Sequence, residues 1–443
     1  MDIGSIIAGF GGLFWTIAAF VVALSVIVAV HEYGHYIVGR WSGIHAEVFS
    51  LGFGPVLFSR TDKHGTVWQV AALPFGGYVK FAGDANAASA PMDEAAMIHL
   101  DAEARRRTMT GAPLWARSAT VAAGPVFNFI LSFLIFALVA FWQGRATDPI
   151  VIDAVAAQVG ELQAGDTVLA IGGIEVDAIA EFGDVVDAIE PTPTVTWTIE
   201  RDGRAMDVPG PYPFPPLVAG VQPQSAAYDA DLRQGDLIVS VDGAPVAAFE
   251  QLREVVVAGE GAPVLLEVLR DGERFEALLV PRRVDLPLEE GGFDTRYMIG
   301  VTGGIAIEPA TERLGLLDSM AAGVDRTLFI VRSSLSGLWN IVTGAISSCN
   351  ISGPIGIAQA SGAMASQGTV SFFFFIGVLS TAVGLLNLFP VPVLDGGHLV
   401  FHAYEAVARR KPSEKAMRLL MTVGLTMILA LMAFAITNDI FCP

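Results

Sequence analysis

The chain has 443 residues, of which 53% are hydrophobic and only 16% are charged. This composition excludes an ordinary soluble domain and predicts a membrane protein with attached soluble modules. The net charge of -19 gives the chain no attraction for nucleic acid, and we expect no such partner.

Four stretches are long and apolar enough to cross about 30 Å of hydrocarbon, which takes about 20 helical residues. They cover residues 12–30, 118–142, 372–389 and 419–437. The first contains no charge and runs directly into a polar motif. Signal-peptide cleavage after that motif would remove it, so we interpret the stretch as a retained span. Four spans would place both termini on the same side of the membrane.

Charge is divided unevenly between the loops. Residues 144–371 hold 32 of the 45 acidic residues but only 13 of the 26 basic ones. All four lysines lie in the other two loops, which the positive-inside rule places in the cytoplasm. We therefore expect a multi-pass protein of the bacterial inner membrane, with its termini and the long acidic loop in the periplasm.

The motif HEYGH, from His31 to His35, follows the first apolar stretch. On a helix His31 and His35 project from one face and can share one ion, with Glu32 beside them. Ionisable groups at membrane depth are costly and mark function. The pattern HExxH predicts a zinc site near the cytoplasmic face, in which Glu32 takes a proton from the water that the metal activates.

A third protein ligand is still required, and Asp395 is the candidate. It lies in NLFPVPVLDGGH, at the predicted cytoplasmic end of the third span, so the topology brings it to the membrane level of His31 and His35. His398 and His402 are weaker alternatives, because they follow Asp395 toward the interface, where a histidine can simply be hydrated.

Motifs along nearly the whole chain resemble those of the site-2 proteases, which are intramembrane zinc metalloproteases, and within them the RseP-like bacterial branch with a tandem PDZ insertion. In order they are HEYGH at 31–35, GFG at 52–54, LPFGGYVK at 73–80, AAGPVFN at 122–128, SGPIGIA at 352–358 and NLFPVPVLDGG from Asn387. The resemblance implies Zn²⁺ on His31, His35 and Asp395, Glu32 as the general base, and Asn387 holding or polarising the substrate backbone.

The loop after the first span is rich in strand-forming residues at 48–58 and 66–81, broken by Gly and Pro. An exposed strand edge could capture an unwound substrate by β-addition. The resemblance implies a membrane re-entrant hairpin at 66–81, with Gly76 and Gly77 at a turn or close backbone approach and with Tyr78 and Val79 next to the substrate. An ordinary cytoplasmic hairpin is the alternative.

Two near-repeats lie in the acidic loop, LQAGDTVLAIGGIEV at 162–176 and LRQGDLIVSVDGAPV at 232–246. Together with the helix and hairpin that follow, they resemble two PDZ domains joined through the proline-rich segment 209–216. In the second copy a groove for an extended peptide would be lined by Leu217, Val218, Ala219, Gly220 and Val221. The first copy lacks the matching segment, so it would act mainly as a spacer or size filter.

Two further features belong to the predicted outer side. Apolar residues at 314–338 recur at steps of three and four, which predicts an amphipathic helix along the outer membrane surface or packed on the second PDZ domain. Cys349 and Cys442 both fall in this compartment, where a disulfide could form. We expect two unpaired thiols instead.

The expected fold is a polytopic α-helical membrane protein with four transmembrane helices, a cytoplasmic-side β-hairpin or small sheet, and two periplasmic PDZ-like domains. The expected segments are the first transmembrane helix with the motif (1–40), a β-rich loop and connector (41–115), the second transmembrane helix (116–143), a degenerate first PDZ-like domain (144–210), a second PDZ domain (211–285), a linker with the amphipathic helix (286–371), the third transmembrane helix with the LDG motif (372–400), a cytoplasmic loop (401–418) and the fourth transmembrane helix (419–443).

By resemblance, the substrates would be single-pass membrane proteins already trimmed on the outer side, such as an anti-sigma factor, or remnant signal peptides. The lipid bilayer and periplasmic ligands of the PDZ domains would be further partners. A catalytically idle membrane scaffold is one alternative, against which the complete set of motif residues argues. A metal transporter is another, against which the scarcity of polar residues in the other spans argues.

Overall fold

The computed structural model describes residues 3–84, 101–156, 160–176, 178–222, 224–287 and 293–442. The chain divides into two compact units. Unit 1 comprises Met1–Val139, Met320–Leu335 and Ile351–Cys442, and unit 2 comprises Ala140–Ser319 and Ser336–Asn350.

The described helices and strands run in the following order. The helices are α1 (Ile3–Trp41), α2 (Ala102–Arg106), α3 (Leu114–Gln143), α4 (Phe182–Ala188), α5 (Ala226–Asp229), α6 (Phe249–Ala258), α7 (Leu316–Val342), α8 (Pro354–Ser366), α9 (Thr369–Asn387), α10 (Asp395–Ala408) and α11 (Glu414–Phe441). The strands are β1 (Ala46–Thr61), β2 (Val67–Phe81), β3 (Arg145–Ala146), β4 (Ile152–Val155), β5 (Thr167–Ile171), β6 (Ile174–Glu175), β7 (Val195–Arg201), β8 (Arg204–Gly210), β9 (Val218–Val221), β10 (Leu237–Val241), β11 (Ala244–Pro245), β12 (Val264–Arg270), β13 (Glu273–Leu279), β14 (Arg282–Pro287), β15 (Phe293–Met298), β16 (Val301–Gly303), β17 (Ile307–Pro309) and β18 (Thr311–Glu312).

Four helices of the described chain are long and apolar enough to cross a membrane. They are α1 from Gly12 onward, α3, α9 and α11, which agree with the four predicted spans. Much of their apolar surface is exposed, and in α11 the side chains of Leu419, Val423 and Leu429 are each more than half exposed. Such a surface suits lipid rather than water.

Hydroxyl groups and glycines join α3 to α9 in the middle of unit 1. The hydroxyl of Ser132 donates to the carbonyl oxygen of Gly377 at 2.7 Å, and the hydroxyl of Thr381 donates to Ser132 at 2.9 Å. Both hydroxyl-bearing residues are fully buried. Small residues let the helices approach closely, and the hydrogen bonds satisfy polar groups that hydrocarbon would leave unpaired.

The predicted β-rich loop forms one bent hairpin rather than a hairpin confined to 66–81. Strands β1 and β2 pair in a register that sets Leu51 opposite both Gly77 and Val70, so the first half of β1 lies between the two ends of β2. The turn falls at residues 62–66, and Gly76 and Gly77 lie inside β2. The predicted hairpin boundaries were therefore wrong, because they left out β1, the partner of both ends of β2.

Asp62 closes the turn and ties it to α1. Its carboxylate accepts hydrogen bonds from the backbone N–H of His64 and Thr66, the indole N–H of Trp68 and the hydroxyl of Tyr36. Burial raises the pKa of Asp62, but these four hydrogen bonds outweigh it and lower the pKa to about 2. The hairpin is thus anchored beside the helix that carries the HEYGH motif.

Unit 2 contains two modules of matching topology. The first has the sheet order β6-β5-β7-β8 and the second β11-β10-β12-β13. Each module has an aspartate that is only 1% exposed and forms an ion pair with an arginine at the end of the third strand of its repeat. The pairs are Asp166 with Arg201 and Asp236 with Arg270. The near-repeats of the sequence therefore correspond to a structural repeat with the same buried ion pair.

The strands after residue 293 complete both modules, so the prediction of a linker over 286–371 was wrong in this part. Strand β16 pairs with β9, whereas β17 pairs with β4 and β18 with β3. Val301 belongs to the core of the second module and Ile307 to that of the first. Sequence periodicity is local and could not show partners roughly 80 to 170 residues away.

The segment predicted as an amphipathic helix is α7. In unit 1, its Gly323 lies so close to α3 that a Cβ would be 2.8 Å from the carbonyl oxygen of Phe133. The guanidinium of Arg326 lies 5.0 Å from the ring centre of Phe374. Val324, Leu328 and Leu335 are each 45% exposed. The small-residue side of α7 therefore packs on unit 1, and its large apolar side chains face outward.

Both cysteines, Cys349 and Cys442, are disulfide-bonded, so the expectation of two unpaired thiols was wrong. The start of α8 meets the last turn of α11, where the carboxylate of Asp439 accepts hydrogen bonds from the backbone N–H groups of Gly353 and Gly356. This contact joins two helix ends of unit 1 that more than 80 residues separate in sequence.

Candidate metal centre

Three predicted ligands converge in unit 1. His31 and His35 lie one turn apart on α1, and their Nε2 atoms are 3.2 Å apart. Asp395 is the first residue of α10, and its Oδ2 lies 3.2 Å from His31 Nε2 and 3.5 Å from His35 Nε2. Among the described residues these three form the one group of metal-binding side chains close enough to share an ion.

The spacing of the three atoms fits zinc. Ligands about 2.0–2.1 Å from a tetrahedral zinc ion lie about 3.3 Å from one another, and the observed separations are 3.2, 3.2 and 3.5 Å. Asp395 Oδ2 is buried and faces the Nε2 atoms of both histidines. A buried carboxylate beside two imidazole nitrogens is costly unless a cation neutralises it. Two imidazoles and one carboxylate also leave a fourth position open.

Glycines fix the position of Asp395. A Cβ on Gly396 would lie 2.3 Å from the carbonyl oxygen of Leu388, and one on Gly397 would lie 2.2 Å from that of Val391. The loop after α9 therefore folds tightly against the first turn of α10. This contact explains why two glycines follow the aspartate in the sequence LDGG.

Glu32 lies between the metal-binding face of α1 and the end of β2. Its carboxylate accepts a hydrogen bond from the backbone N–H of Val79. Gly77 is the point of closest approach, since a Cβ there would lie 3.0 Å from Glu32 Cγ and 2.8 Å from the carbonyl oxygen of Ser50. The predicted close backbone approach at Gly77 is therefore present.

Helix α3 forms the wall behind both histidines, which the sequence analysis did not assign. The carbonyl oxygen of Thr120 accepts a hydrogen bond from His35 Nδ1 at 2.8 Å, and Asn128 Nδ2 lies 3.2 Å from His31 Nδ1. Between them, a Cβ on Gly124 would lie 2.4 Å from His35 Nε2. An asparagine within an apolar span was a sequence signal that could have identified this wall, and the structure buries that residue fully.

The other predicted substrate residues have mixed surroundings. Gly76 has φ +148°, and a Cβ there would lie 2.4 Å from the ring of Phe53, so both conformation and space require glycine. The hydroxyl of Tyr78 accepts a hydrogen bond from Gln69. Val79 is buried. Asn387 is the last residue of α9 and is half-buried.

The groove predicted along residues 217–221 is not free to accept a peptide. One edge of β9 pairs with β16, and the other meets the segment before β10, where Val218 N donates to the carbonyl oxygen of Asp236. Strand addition needs an unpaired edge, so this prediction was wrong. Strand β16 packs against α6: a Cβ on Gly303 of β16 would lie 2.7 Å from the ring of Phe249, the first residue of α6.

The two histidines considered as weaker alternatives lie outside the cluster. The ring of His398 packs edge-on against Phe401, with centroids 6.2 Å apart. His402 Nδ1 lies 3.2 Å from the hydroxyl of Ser118 on α3. Burial lowers the pKa of His402 to about 4, so the ring is neutral at physiological pH.

Comparison with known proteins gives matches along almost the full chain. The profile of peptidase family M50 matches residues 19–431. A protein of Agrobacterium fabrum named as a zinc metalloprotease is 36% identical over 98% of this chain and 98% of its own length. One of Rhizobium meliloti with the same description is 38% identical over 96% of each chain. The regulator of sigma-E protease RseP of Salmonella typhimurium is 31% identical over 96% of this chain and 98% of its own.

Proposed function

Because the chain belongs to peptidase family M50, the site-2 proteases, we propose that this membrane zinc metalloprotease hydrolyses peptide bonds within transmembrane segments of single-pass membrane proteins. The observation that carries the proposal is the convergence of His31, His35 and Asp395 at separations of 3.2 to 3.5 Å, with both histidines inside an apolar span. A hydrolytic site at that depth can act on a substrate helix without removing it from the bilayer.

We assign the metal-ligand role to His31, His35 and Asp395. Zinc held there supplies the Lewis acidity that makes water a nucleophile near neutral pH and polarises the scissile carbonyl. Glu32 accepts the proton of the attacking water and passes it to the departing amine nitrogen. The carboxylate is suited to this work because it sits beside the ligands on the same helix, against the strand that we assign to substrate capture.

The substrate is held as an extended strand along the end of β2. A helical peptide bond is protected by its own hydrogen bond and by surrounding side chains, so the segment must unwind before it is cut. Gly76, Gly77, Tyr78 and Val79 offer backbone groups next to Glu32, and Asn387, at the end of α9, offers a side-chain amide. Strand addition to this edge brings an unwound segment to the proton acceptor.

The part of the hairpin that contains Leu57 and Phe58 of β1 enters the bilayer. Its side chains are apolar and outward-facing, with Leu57 70% exposed and Phe58 64% exposed. An exposed apolar strand is an aggregation hazard in water but fits hydrocarbon. This favours the re-entrant hairpin over an ordinary cytoplasmic one.

The remaining features support an orientation in the membrane and a substrate class. The lysine-bearing loops face the cytoplasm, whereas both modules of unit 2 and the disulfide face the periplasm. The modules act as PDZ-like domains that exclude a bulky outer domain. An anti-sigma factor already trimmed outside, or a remnant signal peptide, would satisfy this filter, and the named RseP relative supports the first.

The test compares purified wild type with Glu32→Gln, using a tagged single-pass substrate without its outer domain and measuring zinc content in both. We expect one zinc per chain in both proteins and cleavage by the wild type alone. Glu103→Gln is the matched control, because this exposed carboxylate pairs with Arg107 on the neighbouring turn, in a segment to which we assign no chemistry. Cleavage by Glu32→Gln at the wild-type rate would remove Glu32 from the mechanism, and zinc-free wild type would reject the metal centre.

A further inference from the structure

The two histidines differ in how their second ring nitrogen is held. His35 Nδ1 is 2.8 Å from the carbonyl oxygen of Thr120, which can only accept a hydrogen bond. Nδ1 of His35 therefore carries the ring proton, and Nε2 keeps the lone pair that faces Asp395. The backbone of α3 alone sets this tautomer.

For His31 the corresponding partner is the side chain of Asn128. Its Nδ2 lies 3.2 Å from His31 Nδ1, and Asn128 is fully buried. Its Oδ1 is also buried and has no hydrogen-bond partner in the described structure. A buried amide oxygen without a partner is rare and requires an explanation.

Metal binding supplies the explanation. With Nδ2 donating to His31 Nδ1, the ring proton must sit on Nε2, where it blocks the lone pair that a metal needs. A 180° rotation of the amide exchanges its oxygen and nitrogen and turns Oδ1 toward Nδ1. Oδ1 then accepts the Nδ1 proton, Nε2 becomes a ligand, and the unpaired oxygen gains its partner.

The surroundings keep Asn128 at this distance. The hydroxyl of Ser380 donates to the backbone carbonyl oxygen of Asn128 at 2.9 Å. On the facing helix, a Cβ on Gly384 would lie 3.1 Å from the Cβ of Asn128, so glycine permits the contact. These contacts fix the backbone and Cβ of Asn128 at the position from which its amide reaches His31.

We propose that Asn128 is a positioning residue that fixes the orientation and tautomer of His31 for zinc, as the Thr120 carbonyl does for His35. The inference rests on the proposed metal centre and adds a residue to it. Partners of this kind typically change metal affinity by about 10- to 100-fold when they are removed.

The experiment measures the zinc dissociation constant of the full-length chain in detergent by competition with a chelator, without any substrate. Three variants are compared with wild type. Asn128→Ala removes the acceptor, and Asn128→Asp keeps an acceptor in the same place. Ser132→Ala is the matched control, because this buried hydroxyl lies one turn further along α3 and bonds to Gly377 instead.

We expect Asn128→Ala to bind zinc about 10- to 100-fold more weakly, and Asn128→Asp and Ser132→Ala to stay within about threefold of wild type. Rescue by aspartate separates the hydrogen bond from packing, since a purely structural role would not be restored by a buried charge. Wild-type affinity in Asn128→Ala, or equal losses in all three variants, would overturn the inference and leave the metal centre standing. If the wild type itself takes up no zinc, the metal centre fails and the inference with it.

Discussion

Replacing Gly124 by alanine should disrupt the metal centre although it adds only one methyl group. The new Cβ would lie 2.4 Å from His35 Nε2, 2.5 Å from His35 Cε1 and 2.8 Å from His31 Cε1. Ordinary contact begins near 3.4 Å, so the ring of His35 or the helix behind it must move by about 1 Å. The ring of His35 is held by its hydrogen bond to the carbonyl oxygen of Thr120, which lies one turn before Gly124 on α3.

A shift of this size exceeds what a zinc site tolerates, because ligand distances are held to within about 0.2 Å. We therefore expect zinc affinity to fall by at least about 10- to 100-fold in Gly124→Ala, with a matching loss of cleavage at limiting zinc. In an open helix position the same substitution favours the fold by about 0.5–1 kcal/mol. The loss would thus come from the contact and not from helix propensity.

Chelator competition followed by cleavage of the tagged substrate measures both effects. Gly12→Ala is the matched control, because Gly12 lies in α1 and has nothing within 4 Å of an added Cβ. It should bind zinc as the wild type does. Unchanged affinity in Gly124→Ala would refute the position of α3 behind the two histidines.

Two further substitutions address the strand end and the loop that follows it. Gly77→Ala should keep its zinc but lose on the order of 10-fold in cleavage, because the added Cβ would press on Ser50 and Glu32 and move the strand by about 0.6 Å. Zinc content and cleavage are measured in parallel, and a change in both or in neither would contradict this. Burial raises the pKa of Asp84 from 3.8 to about 6. Below pH 3.8 the carboxyl is protonated in both the folded and the unfolded state, so it does not affect the free energy of unfolding. Above pH 6 it is ionised in both states, and its burial then destabilises the folded state by the full amount. Asp84→Asn should therefore stabilise the protein at pH 7.5 by on the order of 1 kcal/mol and have little effect at pH 4. Thermal unfolding is measured at both pH values, and an equal gain in stability at pH 4 and pH 7.5 would reject this explanation.

Local patterns in the sequence were sufficient for the spans and for most of the metal centre. Apolar runs of the required length predict helices wherever backbone groups must be satisfied inside a bilayer, and the four predicted spans agree with α1, α3, α9 and α11. The four-residue step between His31 and His35 fixes their common face on any helix. Asp395 could be added because charge in an apolar environment needs a partner, and the structure places it 3.2 Å from His31.

Pairings between distant segments could not be predicted in this way. Strand β16 completes the second module and occupies an edge of β9, which removed the groove predicted along 217–221. The bend of β1 between the two ends of β2 and the disulfide of the two cysteines are further examples. Each depends on which edges and side chains meet in space, whereas periodicity records only the environment of neighbouring residues.

The sequence by itself determined that the chain is a membrane protein with a two-histidine, one-carboxylate site, because membrane depth and helical spacing are properties of short segments. Only the tertiary structure decided what holds that site. Thr120, Gly124 and Asn128 recur every fourth residue on one face of α3 and back the two histidines, while Gly77 brings the strand to Glu32. These contacts arise from the packing of one helix and one strand against another helix, and they set the geometry of the proposed metal centre.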